Sequence, residues 1–117
     1  MIGLPHDNLE KSLHTCNEFI KLKPDCVRIY PTLVIRDTYL EKMYYDGIYK
    51  PLDLNEAIEQ TSIYLMLFYI NGINVIRAGL QPTDNIQLGK DVVAGPFHAA
   101  FRQLADANIF KILIDYY

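Results

Sequence analysis

The sequence has no tryptophan, only two cysteines and no excess of positive charge. Two thiols, Cys16 and Cys26, cannot build a disulfide scaffold, and a chain that uses cysteine so sparingly fits a reducing cytoplasm. Eleven Lys and Arg stand against fourteen Asp and Glu, a formal net charge of −3, so charge gives no support to a nucleic-acid partner. Long apolar runs are also lacking. The strongest, Ile63 to Ile70, is about ten residues too short to span a bilayer, so no membrane partner is expected. Met1 is followed by Ile2-Gly3-Leu4-Pro5, with neither a basic stretch nor a long apolar one, so no signal peptide is expected. Low-complexity segments, repeats and linkers are missing too.

What remains is an ordinary globular composition: 50% hydrophobic, 12% aromatic and 21% charged, with nine tyrosines among the fourteen aromatics. At 117 residues the chain has room for one domain, residues 1–117, and not for a large enzyme.

Helical and extended segments alternate. Residues 1–5 resemble the end of a buried strand running into a turn. Asp7 or Asn8 can cap a helix that runs to about Lys21, with Leu9, Leu13, Cys16 and Ile20 on one face, and Pro24 stops it. Cys26 to Tyr30 alternates as a strand does, Val27 and Ile29 to one side, Arg28 and Tyr30 to the other. Thr32 to Ile35 continues extended. Asp37 is the expected cap of a short helix, Thr38 to Tyr45, closed by Gly47. Asp53 and Glu56 form a variant capping box for a helix that reaches Asn71 and whose second half, apolar almost all round, needs cover on more than one side. Ile73 to Leu80 reads as a second full strand. Loop residues surround a short apolar Val92-Val93, and Pro96 is expected in the first turn of a helix spanning Phe97 to about Ile109. Strands alternating with helices imply an α/β fold with few parallel strands and flanking helices.

Three runs carry a family resemblance: Met1-Ile2-Gly3-Leu4-Pro5; Arg28 to Thr38 (RIYPTLVIRDT); and Gly79-Leu80-Gln81-Pro82-Thr83 followed by Val92 to His98 (VVAGPFH). In this order they resemble the C-terminal part of the radical S-adenosylmethionine (SAM) core. The branch is that of bacterial proteins similar to the Elongator catalytic subunit, often labelled oxygen-independent coproporphyrinogen III oxidase-like. The resemblance implies the C-terminal part of a partial (β/α) barrel with its C-terminal extension, Met1 falling at the end of the fifth strand. It also implies SAM and a [4Fe–4S] cluster in full-length members, the cluster held by a CxxxCxxC motif that is absent from this sequence. No cofactor is therefore expected on this chain alone, and no metal site. By the same resemblance Gly3, Leu4 and Pro5 approach the adenine of SAM, and Ile29, Tyr30 and Pro31 line it. Two departures stand out. His6 replaces a family glycine, which argues against positive φ and close backbone approach there, and Ala99 replaces a proline.

Arg28, Arg77, Gln81 and His98 are the candidates for a substrate pocket, with Tyr30 and Arg36 beside them. Residues at the C-terminal ends of strands line the sites of barrel enzymes, and the arginines suit an anionic substrate or the carboxylate of SAM. The competing explanation is that such arginines cap helices or pair with acids such as Asp37, and that His98 satisfies local backbone groups. His14 and Cys16, two apart on a helix, point to different faces and make no metal pair. Tyr45, Tyr49, Tyr64 and Tyr69 are packing residues before they are base-stacking ones. Lys21 and Lys23 complement a helix C-terminus.

The functional expectation is a catalytically incomplete C-terminal fragment of a radical SAM enzyme. The alternative is a small non-catalytic interaction module, a homo-oligomer joined through exposed sheet edges, with residual SAM or nucleotide binding.

Overall fold

The computed structural model of the chain describes residues 1–79 and 92–116. Its first helix, α1 (Leu9–Leu22), starts where Asn8 accepts the Lys11 backbone N–H at 2.8 Å. It ends at Lys23, which takes a left-handed φ of 52° and donates its N–H to the Ile20 carbonyl. Ser12 and Cys16 are the residues this helix buries, and Leu9 stays exposed, so the buried face is rotated slightly from the one the apolar spacing implies.

Strand β1 (Cys26–Ile29) pairs in parallel with β3 (Asn74–Ala78), and the Gly79 N–H continues the ladder to the Ile29 carbonyl. Ile2 makes an isolated parallel bridge to Pro31 beyond the end of β1. Its N–H donates to the Tyr30 carbonyl, and its own carbonyl accepts both the backbone N–H and the hydroxyl of Thr32. The expected parallel α/β arrangement is thus present. An additional feature is β2 (Val34–Ile35), which pairs antiparallel with β4 (Val92–Ala94) in a separate two-stranded sheet.

Helix α2 (Tyr39–Tyr45) is capped by Thr38 and not by Asp37. The Thr38 hydroxyl accepts the Glu41 N–H and donates to the Ile35 carbonyl, while Asp37, at φ 64°, turns the chain out of β2. Helix α3 (Leu54–Ile70) begins at Asp53, whose carboxylate accepts the Glu56 N–H at 2.7 Å. That bond stabilises the charged form and holds the Asp53 carboxyl below its ordinary range. The helix packs against α1, β3 and α4 (Phe101–Tyr116), which covers its apolar stretch as far as Phe68; Tyr69 and Ile70 emerge exposed.

Pro96 lies ahead of α4 instead of inside its first turn. Residues 95–98 form an irregular turn in which the Phe97 N–H reaches the Gly95 carbonyl, and the helix starts only at Phe101 before running through the C-terminal residues to Tyr116.

One core joins these elements. Ile29 and Val75 from the parallel strands meet Cys16 of α1, Tyr64, Leu65 and Phe68 of α3, and Ala105 of α4, with Ile2 at one margin. Within the β1–β3 sheet Ile29, Val75 and Ala78 are buried, whereas Arg28, Ile76 and Arg77 are exposed. Between α3 and α4 the contact is partly polar: Ser62 Oγ lies 2.7 Å from the Ile58 carbonyl and 3.1 Å from that of Ala105, and accepts from Asn108 Nδ2.

Candidate functional site

The turn after Ile2 brings three expected cofactor-lining residues together. Gly3 has φ 81°, and a Cβ there would lie 3.0 Å from Leu52 Cδ1, so the backbone needs both the freedom and the smallness of glycine. The Gly3 carbonyl accepts the hydroxyl of buried Tyr49, a ligand of the turn that no sequence signal indicates. Burial pushes the Tyr49 phenol above its ordinary pKa. The Leu4 carbonyl accepts from Asp7 N–H, closing the turn around Pro5.

His6 adopts φ 64°, so the expectation that histidine argues against a positive φ there is corrected. Histidine is among the residues that tolerate the left-handed region best, and Lys11 Nζ clamps the His6 carbonyl at 2.7 Å. On the other side of the Ile2 bridge, Ile29 and Pro31 are buried and Tyr30 is half-buried. The two expected SAM-lining segments, residues 3–5 and 29–31, therefore converge on one end of the parallel sheet.

Arg28 and Arg77 meet as well, for a reason the alternation of residues does not reveal. A regular strand would place Arg77 on the same side as Val75, facing the helices. The register instead shifts between Val27 and Arg28: Val27 pairs with Val75, but Arg28 pairs with Arg77, leaving Ile76 as the extra residue of a β-bulge. Val75 and Ala78 are buried while Ile76 and Arg77 are exposed, as the bulge requires. The Val75 carbonyl beside the bulge accepts Arg102 Nη1 at 2.9 Å, and Arg102 is held in turn by Asp106 at 3.4 Å.

Arg28 and Arg77 are thus register partners, both exposed, on strands spaced about 4.8 Å apart. Neither joins an ion pair among the described residues. Like charges directly opposite on neighbouring strands are disfavoured. Arg77 also borders an open depression of about 430 Å³ formed with Gly79, Ala100, Arg102 and Gln103. Arg28 borders another of about 280 Å³, whose walls include Ser12, Cys16, Phe19 and Cys26.

The remaining candidates separate from this pair. His98 is engaged locally: its Nδ1 accepts the Ala100 N–H at 2.9 Å and helps start α4. Arg36 lies with Asp37 and Glu41 beside β4, in a different depression. Gln81 lies outside the described residues. Both cysteines are free; Cys16 is buried and desolvation pushes its thiol up to about 11, whereas Cys26 is exposed. A [4Fe–4S] cluster needs more thiolates than two, and one of these two resists ionisation, so the chain's cysteines do not fit that group. Among the described residues no three His, Cys, Asp or Glu side chains gather as metal ligands, and no helix is long and apolar enough to cross a membrane.

The sequence profile described as Radical_SAM C-terminal domain matches residues 24–111. The chain belongs to that family. Among its relatives, the tRNA uridine(34) acetyltransferase of Methanocaldococcus jannaschii is 42% identical over 62 residues, covering 50% of this chain and 12% of the relative. Elongator complex protein 3 of Bos taurus is 36% identical over 70 residues, 57% of this chain and 13% of the relative. An uncharacterized protein of M. jannaschii is 34% identical over 65 residues, 56% of this chain and 20% of the relative. In structure the chain is similar to the Elp3 of Methanocaldococcus infernus with an N-terminal deletion, at a TM-score of 0.72 and 30% identity, over 96% of this chain and 26% of that one. The matched C-terminal domain thus takes in the β1–β3 sheet, the β2–β4 ribbon and most of α4, and the chain spans a small part of each relative's length.

Proposed function

We propose that this chain forms a SAM-lining and substrate-facing wall of a radical SAM barrel and performs no radical chemistry by itself. The observation that carries the reading is the convergence of the Gly3–His6 turn, left-handed at both ends, with the backbone of residues 29–31. Gly3, Leu4, Pro5, Ile29, Tyr30 and Pro31, brought together there, would supply the surface against which the planar adenine lies. SAM, when bound, would supply the 5′-deoxyadenosyl group. The two cysteines of this chain do not make a ligand set for the cluster that cleaves SAM. Among branch labels, the Elongator-like one fits the named relatives better than the coproporphyrinogen oxidase-like one. Two free thiols are in keeping with a reducing cytoplasm.

Anaerobic iron–sulfur reconstitution followed by iron analysis and a SAM-cleavage assay tests the first half. Substoichiometric iron and no 5′-deoxyadenosine are expected; stoichiometric iron with 5′-deoxyadenosine overturns it. Calorimetry with SAM tests the second half, with heat lost in a Gly3→Val variant as the expected result.

A second reading, a self-associating module, draws on the sheet edges. Among the described residues β1 and β3 pair only with each other, and Ile76 on the outer strand is 48% exposed. Unpaired edges with apolar side chains favour strand addition. Light scattering is expected to report a dimer or larger species at micromolar concentration, and a stable monomer removes this reading.

A further inference from the structure

We propose that Arg28 and Arg77 form a two-guanidinium clamp for a phosphate group, and that Arg102 is the positioning residue that keeps it assembled. The inference rests on the reading of this chain as a substrate-facing wall and deepens it by naming the chemistry of what that wall takes.

Three observations lead to it. First, the two arginines are register partners and both are exposed, and neither has an ionic partner among the described residues. A protein of net charge −3 has acids enough to neutralise them, yet its described ion pairs lie elsewhere. An adjacent pair of unneutralised guanidinium groups is relieved by an anion that both can reach. Second, the spacing selects the anion. A carboxylate has two oxygens and is satisfied by one guanidinium fork, whereas two forks on neighbouring strands suit a group with three or more oxygens and more than one negative charge. Third, the pairing is built rather than incidental. It exists only because Ile76 is bulged out of β3, and the carbonyl beside that bulge is bound by Arg102 Nη1, itself braced on Asp106. Without the bulge Arg77 would turn toward the apolar core and the clamp would lose one jaw.

The phosphate can come from a small molecule or from a nucleic-acid backbone, and the two share this chemistry. The lack of bulk positive charge does not bear on a two-residue clamp, which recognises one group and not a polyanion's field.

The test is nuclear magnetic resonance of the arginine Nε–Hε groups of the full chain during titration with inorganic phosphate, against sodium chloride at matched ionic strength. The Arg28 and Arg77 signals are expected to move with phosphate and not with chloride. Arg28→Gln and Arg77→Gln are each expected to weaken binding about tenfold, a loss the size of one charge-assisted contact. Arg102→Met should weaken phosphate binding although both clamp arginines remain, and Arg102→Lys, which can still donate to the Val75 carbonyl, should restore part of it. A parallel titration with a short single-stranded oligonucleotide separates the sources: tighter binding than phosphate that is lost in Arg77→Gln assigns a backbone phosphate, and no gain over phosphate assigns a small molecule. Equal shifts with chloride, or unmoved arginine signals, overturn the clamp. Unchanged binding in Arg102→Met overturns the positioning role. SAM calorimetry reads the Gly3 turn and this titration reads the arginines, so failure of one is distinguishable from failure of the other.

Discussion

Gly79 lies so close to Phe101 that a Cβ added to the glycine would sit 2.8 Å from the Phe101 Cβ. The contact joins the end of β3 to the first residue of α4, and Gly79 holds φ 83° there. Gly79→Ala is therefore expected to combine a backbone penalty with overpacking, lowering stability by about 2–4 kcal/mol. Urea unfolding followed by circular dichroism measures it, and a change below about 1 kcal/mol would show that Phe101 can retreat without cost.

His6 is the reverse case. Its left-handed backbone penalises a side chain, while the bond from Lys11 Nζ is made to its carbonyl and survives any substitution. His6→Gly is expected to stabilise the chain by about 1 kcal/mol in the same unfolding assay. A loss would mean that the imidazole makes contacts worth more than the strain.

Thr61 is fully buried in α3, and its hydroxyl has no hydrogen-bond partner among the described residues. Thr61→Val keeps the shape and removes the unsatisfied group, so a gain of about 1 kcal/mol is expected from thermal or urea unfolding. A destabilised variant would point instead to a bound water or an unseen acceptor.

Burial raises the Cys16 thiol from 9.0 to about 11. Above pH 9 the unfolded chain loses this proton while the folded chain keeps it, so the unfolded state binds fewer protons and stability falls as pH rises, by at most about 2–3 kcal/mol between pH 9 and 11. The buried phenols of Tyr49 and Tyr64, also pushed upward by desolvation, add in the same direction at higher pH. Unfolding free energies across this range should decline, and Cys16→Ala should flatten the earlier part of the decline. Alkylation with mass-spectrometric readout should modify Cys26 first and Cys16 only on unfolding.

Much of the architecture could be read from residue patterns, because local chemistry and global packing agree there. The Asp53–Glu56 cap, the alternation of Val27 with Ile29 and the positions of α1 and α3 each follow from side chains acting within one turn or one strand. The missed features arise from long-range contacts. The Ile76 bulge lies beside a carbonyl bound by Arg102, which is distant in sequence, and strict alternation through Val75, Ile76 and Arg77 conceals it. The β2–β4 pairing joins segments far apart along the chain, and neither segment is long enough to declare itself. Helix α4 starts late because His98 and the turn at Gly95 take up the residues that a first-turn proline suggests are helical. Of the candidate site, the residue types were legible and their company was not: Arg28 and Arg77 were separate expectations until the bulge made them neighbours, and Tyr49 under Gly3 had no local signature.

A serine hydroxyl has one hydrogen, yet Ser62 Oγ stands within reach of two carbonyls, one in its own helix and one in α4. At any instant it serves either Ile58 or Ala105, whereas the bond it receives from Asn108 persists in both cases. Apolar side chains along this seam tolerate small rotations of α4 about its axis; the Asn108 amide does not. It works as an index mark for which way the helix faces, and Phe101 and Arg102, which meet Gly79 and Val75, ride on that same helix.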